Sequence, residues 1–190
     1  MTDQLLIGCG NKRAKILHPM GDSLWGNLTT LDNDPNCGAD VEHDLMRLPL
    51  PFADERFDEI HAYHVLEHTG AQGDFRWFFA QWEDFYRLLK PGGLFCAAVP
   101  AAGSPWVFGD PGHTRFIPSE VLTFLDQTEY TKQVGVTALA DYRRFYRADF
   151  EKVFEQIMLA PQDDAHPERQ PGPDQFFFIL KAVKPSRISL

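Results

Sequence analysis

The sequence predicts an α/β protein built on a mostly parallel sheet, and three observations carry that prediction. Short, largely apolar runs bounded by turn residues recur at 5–7, 28–31, 59–63 and 94–99, the pattern of strands buried on both faces. Between the last two lies "DFRWFFAQWEDFYRLLK", where Phe75, Phe78, Phe79, Trp82, Phe85, Tyr86 and Leu89 follow helical spacing until Pro91, Gly92 and Gly93 stop it. A further apolar run at 176–183 follows a polar, proline-rich loop at 160–174. It predicts a strand that returns antiparallel at the sheet edge.

Two more helices are expected after the fourth run. One spans 118 to about 126, with Ser119 near its start. The other spans about 149–158, where Phe150, Val153, Phe154 and Ile157 repeat every three or four residues. At 190 residues the chain is long enough for one well-packed domain and short for two, so a single domain over 1–190 is expected.

Composition narrows the function classes. A net charge of −9 disfavours a broad phosphate-neutralising surface, and with it nucleic acid as a partner. Cys9, Cys37 and Cys96 are odd in number and fit no paired zinc spacing, which suits a reducing cytoplasmic setting. No apolar run reaches the roughly 18 residues of a membrane span, and no signal peptide is recognised. A small molecule is the expected partner, no membrane is expected, and a homodimer is admitted.

The chemistry starts at "LLIGCGNKR". Gly8 and Gly10 follow the first strand directly and allow a sharp turn with close backbone approach to a ligand. A G-x-G alone also fits a turn without a ligand. The second run, "LTTLD", ends in Asp32, and an acid at the end of a second strand is where such folds hold ribose hydroxyls. The competing reading for Asp32 is a turn aspartate in the loop that follows.

With these features the chain resembles the class I S-adenosylmethionine-dependent methyltransferases, in their small-molecule, type 11-like branch. "LLIGCGNKR" is similar to that family's glycine motif and "TTLDNDP" to its second strand and acid. "EHDLMRLPLPFADERFDEIHAYHVLEH" is similar to its third and fourth strands, and "LLKPGGLFCAAVP" to the entry into its fifth. "DPGHTRFIPSEVLTFL" resembles the loop and helix that follow in the small-molecule branch. The resemblance implies a Rossmann-like three-layer sandwich with a mostly parallel seven-stranded sheet and an antiparallel edge strand near the C-terminus. It implies S-adenosylmethionine as cofactor, with Gly8 and Gly10 at its methionine portion, Asp32 at the ribose, and Asp44 and Leu45 at the adenine. His64 would face the methionine end and the substrate.

The chain departs from the family at Leu6, where an acid is common, and at Lys12, where a third glycine is common. Lys12 or Arg13 is then a candidate for the cofactor's carboxylate, against the alternative of solvated charges on a turn. His61, His64 and His68 are spaced as on one helix face, a pattern that suggests metal, but 59–63 reads as strand and the three need not converge; no metal site is assigned.

His64 and His113 are the candidate catalytic residues, with Tyr63 as a further possible base, and Tyr63, Trp106 and Phe116 as candidate walls of an acceptor pocket. The expected activity is methyl transfer to a small-molecule or sugar-like acceptor. The alternatives are a non-catalytic binding module on the same fold and a nicotinamide-dependent oxidoreductase. Any lid is expected from the loop after Val99 or the segment after Ala160.

Overall fold

A computed structural model of the chain describes residues 1–162, 164 and 170–188. Its centre is a seven-stranded sheet formed by β1 (Asp3–Ile7), β2 (Asn27–Asp32), β3 (Val41–Glu42), β4 (Phe57–Tyr63), β5 (Leu89–Pro100), β6 (Phe150–Leu159) and β7 (Pro173–Ala182). The spatial order is β3-β2-β1-β4-β5-β7-β6. The first five strands run parallel, and β7 pairs antiparallel with both β5 and β6. The expected mostly parallel α/β sheet is therefore present.

Helix α1 (Phe75–Leu88) forms where the apolar spacing places it, starting from Asp74, whose side chain accepts from the Trp77 amide. It lays Phe78, Phe79, Trp82, Phe85 and Leu88 on one face of the sheet. Trp82, 1% exposed, meets the rings of Phe95 from β5, Phe150 from β6 and Phe178 from β7. Full burial of each such aromatic contributes about 1.5–3 kcal/mol. The helix expected at 118–126 is a 3-10 turn at Ser119–Phe124 that leads into α3 (Gln127–Gln133), capped by Asp126. A single short turn, α2 (Trp106–Gly109), precedes it.

The helix expected at 149–158 is instead strand β6. Its register against β7 shifts between Lys152 and Phe154. The shift inserts one residue into a period-two pattern, so Phe150 and Phe154 face opposite sides of the sheet while their spacing mimics a helix. The apolar run at 176–183 is a strand as expected, but β7 is second from the edge and β6 is the edge strand. In the expected loop at 160–174, residues 163 and 165–169 lie outside the described residues, and β7 already begins at Pro173.

The opposite face of the sheet is organised differently. No helix or strand lies between β1 and β2, and residues 8–26 cross this face as irregular chain. Glu59 Oε2 accepts from Gln4 Nε2 at 2.5 Å and from His61 Nε2 at 2.8 Å, and pairs with Lys15 Nζ at 3.1 Å. Tyr63 Oη accepts from the amides of Ile16 and Leu17 and so donates to His61 Nδ1 at 2.6 Å. Trp25 packs edge-on against His61, and Gln4 Oε1 accepts from the Gly26 amide. A buried polar clasp thus fastens the segment after the glycine turn where a packed apolar helix face would otherwise serve.

Candidate active site

A parallel sheet collects ligands beyond the carboxyl ends of its strands, where the chain leaves one strand and crosses to another. Here β1, β2, β3 and β4 all release their chains toward one cleft of about 390 Å³. It is lined by Gly8 and Gly10 after β1, Asp32 and Asn33 at the end of β2, His43, Asp44, Leu45 and Met46 after β3, and His64, Val65, His68 and Thr69 after β4. The cleft brings together Gly8, Gly10, Asp32, Asp44, Leu45 and His64, the expected cofactor residues.

The two glycines do different things. Both have positive φ, 61° and 46°. A Cβ on Gly8 would lie 2.4 Å from Val65 Cγ2, so this glycine allows close packing of the turn against the residue after β4. A Cβ on Gly10 would meet nothing within 4 Å. Gly10 therefore leaves a bare backbone surface at the cleft.

Asp32 ties the turn to β2. Its Oδ2 accepts from the Gly10 amide at 2.8 Å and its Oδ1 from the Asp34 amide at 2.9 Å, so each oxygen keeps acceptor capacity for a hydroxyl. Asp44 Oδ1 accepts from the Met46 amide in a tight turn, and Leu45 beside it is 8% exposed. That pairing of a carboxylate with an apolar side chain suits the edge and the face of a planar heterocycle.

His64 has φ of 54°, a left-handed conformation that costs a non-glycine residue about 1–2 kcal/mol. Its amide donates to Ala98 O, which locks the bend, and its Nδ1 stands 3.4 Å from Glu67 Oε1. The Glu67 carboxylate raises the His64 pKa against the opposing effect of burial. Nε2 approaches Gln175 at 3.2 Å.

Other expected residues fall elsewhere. Tyr63 belongs to the polar clasp on the opposite face, where burial pushes its phenol well up, and it faces away from the cleft. It neighbours His64 in sequence, but β4 ends at Tyr63 and the backbone bends at His64, which separates the two side chains. His61 is fully buried in the same clasp, with its pKa lowered by burial, so it does not converge with His64 and His68. Arg13, also exposed, uses Nη2 to donate to the carbonyls of Cys37 and Gly38. Lys12 is exposed.

His113 sits beside the cleft, across from Glu67, with its Nδ1 2.7 Å from Trp106 O. Trp106 and Phe108 of α2 are 60% and 85% exposed, and Phe108 leans toward Phe116. Asn33, Met46, Val65, Glu67 and Thr69 are not singled out by the sequence. All lie in the segments that leave strands β2, β3 and β4, and that topological position is the available signal.

The family model of a methyltransferase domain matches residues 5–97, which runs from β1 through most of β5 and takes in every cleft residue. Over that stretch, just under half of its length, the chain is similar to a methyltransferase domain. Among curated proteins none matches the sequence. A methyltransferase from Archaeoglobus fulgidus described as SAM-dependent is similar in fold, with a TM-score of 0.54 at 17% identity over 95% of this chain and 86% of that one. The N-methyltransferase NodS from Bradyrhizobium japonicum, solved with S-adenosyl-L-homocysteine, gives 0.52 at 15% over 95% and 78%. The [4+2]-cyclase SpnF gives 0.52 at 15% over 96% and 74%. At these identities the likeness is one of fold.

The cofactor that a methyltransferase domain of this class implies is S-adenosylmethionine. The cleft fits it: Gly10 offers bare backbone where a side chain would intrude, Asp32 has spare acceptor capacity at a strand end, and Asp44 with Leu45 supplies an edge and a face. Among the described residues no helix is long and apolar enough to cross a membrane.

Proposed function

We propose that the protein transfers a methyl group from S-adenosylmethionine to a small-molecule or sugar-like acceptor. The carrying observation is the juxtaposition in one cleft of Gly8, Gly10, Asp32, Asp44, Leu45 and His64 at the carboxyl ends of four strands. Gly8 and Gly10 receive the methionine portion, Asp32 accepts from the ribose hydroxyls, and Asp44 and Leu45 hold the adenine. The cofactor supplies an electrophilic methyl on a sulfonium.

This chain's residues must then align the acceptor and exclude water, the main demands of an in-line displacement. In this reading His64 faces the acceptor and takes its proton, which its position in the cleft lining and its left-handed backbone support. The exposed Trp106 and Phe108 of α2 supply an apolar surface beside His113 for the acceptor or a closing lid.

The reading is tested by calorimetry of the purified chain with S-adenosylmethionine, S-adenosylhomocysteine and NAD. Micromolar binding of the first two, lost in Asp32→Ala, is the expected result; binding of NAD alone would overturn it. SpnF shows that this fold also carries a cyclase. Labelled methyl passing from bound cofactor into a metabolite extract separates a transferase from a protein that only binds.

A further inference from the structure

Beneath the cleft mouth lies a buried carboxylate. Glu67, in the short turn Leu66–His68, is 2% exposed, and among the described residues neither of its oxygens accepts a hydrogen bond. Burying a carboxylate without donors is strongly unfavourable, so such a group calls for a partner. The nearby guanidinium does not serve. Arg115 is spent on the carbonyls of Thr69, Ala71 and Asp74. His64 Nδ1, at 3.4 Å from Oε1, makes an ion pair without hydrogen-bond geometry.

Two imidazoles flank this carboxylate. The loop carrying His113 is fastened to the turn by the Thr114 and Arg115 amides, which both donate to Glu67 O. The rings of His68 and His113 lie edge to face with centroids 4.6 Å apart. One donor atom from each of Glu67, His68 and His113 lies within 4.8 Å of the others.

The tautomers follow from the neighbours. His68 Nδ1 is 3.0 Å from Gly112 O and His113 Nδ1 is 2.7 Å from Trp106 O. A carbonyl only accepts, so in each neutral ring Nδ1 carries the proton and Nε2 keeps its lone pair. A backbone carbonyl holding one ring nitrogen is the arrangement that orients a ligating histidine, and the other nitrogen of His113, Nε2, faces Asp110 Oδ2 at 3.9 Å.

From these contacts we infer that Glu67, His68 and His113 form a binding site for one divalent transition-metal ion of the zinc or cobalt type, opening onto the acceptor side of the cleft. Two imidazole nitrogens and one carboxylate oxygen favour such an ion over calcium or magnesium, which prefer all-oxygen sets. His68 is exposed and lines the cleft, so the ion has an entry path and an open position toward a bound acceptor. Binding stands independently of the methyl-transfer reading; use of the ion to hold and acidify an acceptor hydroxyl rests on it.

The structure also contains a rival donor set, Cys9, Asp32 and Cys37. Burial pushes the Cys9 thiol up, so this set is less prepared for a metal.

The test is titration of the EDTA-treated full chain with Co²⁺, followed by its visible d–d absorption, with Zn²⁺ as competitor. One equivalent per chain is expected, displaced by Zn²⁺. His113→Ala and Glu67→Gln should each weaken binding by at least about tenfold, while both variants keep the wild-type far-ultraviolet circular dichroism.

Asp32→Ala should lose S-adenosylmethionine and keep the Co²⁺ band, so failure of the cofactor reading and failure of the metal reading are separable. Absence of the band in wild-type protein would overturn the inference. A band unchanged in His113→Ala would do so as well, as would a thiolate charge-transfer band lost in Cys37→Ser.

Discussion

Replacing Glu59 by glutamine should unfold this protein more readily than any surface change, although Glu59 lies outside the cleft. The Lys15 and Glu59 side chains are 1% and 2% exposed and lie 3.1 Å apart. Removing the carboxylate charge leaves a buried ammonium without its anionic partner, 5.6 Å from the centroid of the Trp25 ring. Breaking a buried pair from one side costs about 3–5 kcal/mol. In a domain of this size that lowers Tm by about 6–20 °C.

The pH dependence supplies a second measure. Burial acts to raise the Glu59 pKa, but His61, Lys15 and Gln4 outweigh it and bring the group from 4.5 to about 2. The folded chain therefore holds the proton less tightly than the unfolded chain. The stabilisation is complete above pH 4.5 and is lost as pH falls from 4.5 toward 2, a change on the order of 3 kcal/mol. The two routes agree.

Urea denaturation at pH 7 and across the acid range, in wild type, Glu59→Gln, Lys15→Met and the double variant, is the assay. The double variant should be more stable than Glu59→Gln alone, because it no longer buries an unpaired ammonium. A cost below about 1 kcal/mol for Glu59→Gln would refute the reasoning, as would the same cost in the Lys15→Met background.

Two further outcomes are expected. Gly8→Ala should cost about 2–4 kcal/mol, from its positive φ and the 2.4 Å approach to Val65, whereas Gly10→Ala should cost about 1 kcal/mol and act mainly on cofactor affinity. Thermal melts with calorimetry on both variants check this, and equal stability losses would contradict the different roles of the two glycines. Arg187→Ala should destabilise by about 2–3 kcal/mol, because Asp149 is fully buried and both its oxygens accept from the Arg187 guanidinium. Lysine at 187 should recover only part of the loss, since it lacks the planar fork, and chemical denaturation reads both variants.

What was legible in the sequence had local causes. β1, β2, β4, β5 and α1 each carry an apolar pattern complete within a few residues, and their ends are marked by Gly8, Asp32 or the Pro91-Gly92-Gly93 stop. The cleft residues were legible because they follow strand ends, a position that periodicity reveals. β6 was misread because its register shift is set by pairing with β7, which no local window contains. His61 and His64 looked alike in sequence, yet one faces the clasp and the other the cleft, separated by the end of β4 and the backward bend at His64. The Lys15 and Glu59 pair, and the meeting of His113 with Glu67 and His68, depend on chain crossings between distant segments.

The two sheet faces are held by different forces, and this bears on how the cleft stays ordered. On the α1 face, Trp82 and its aromatic neighbours bury area without demanding a particular angle. On the other face the segment after the glycine turn has no helix to bury, so its position is set by directional contacts. These are Lys15 to Glu59, Tyr63 to the Ile16 and Leu17 amides, Arg13 to the Cys37 carbonyl and Gln4 to the Gly26 amide. Directional contacts fix orientation as well as proximity. They hold both ends of the segment, so that Gly10 meets Asp32 at 2.8 Å without a helix behind it. The polar clasp is thereby part of what shapes the cleft, even though none of its side chains enters it.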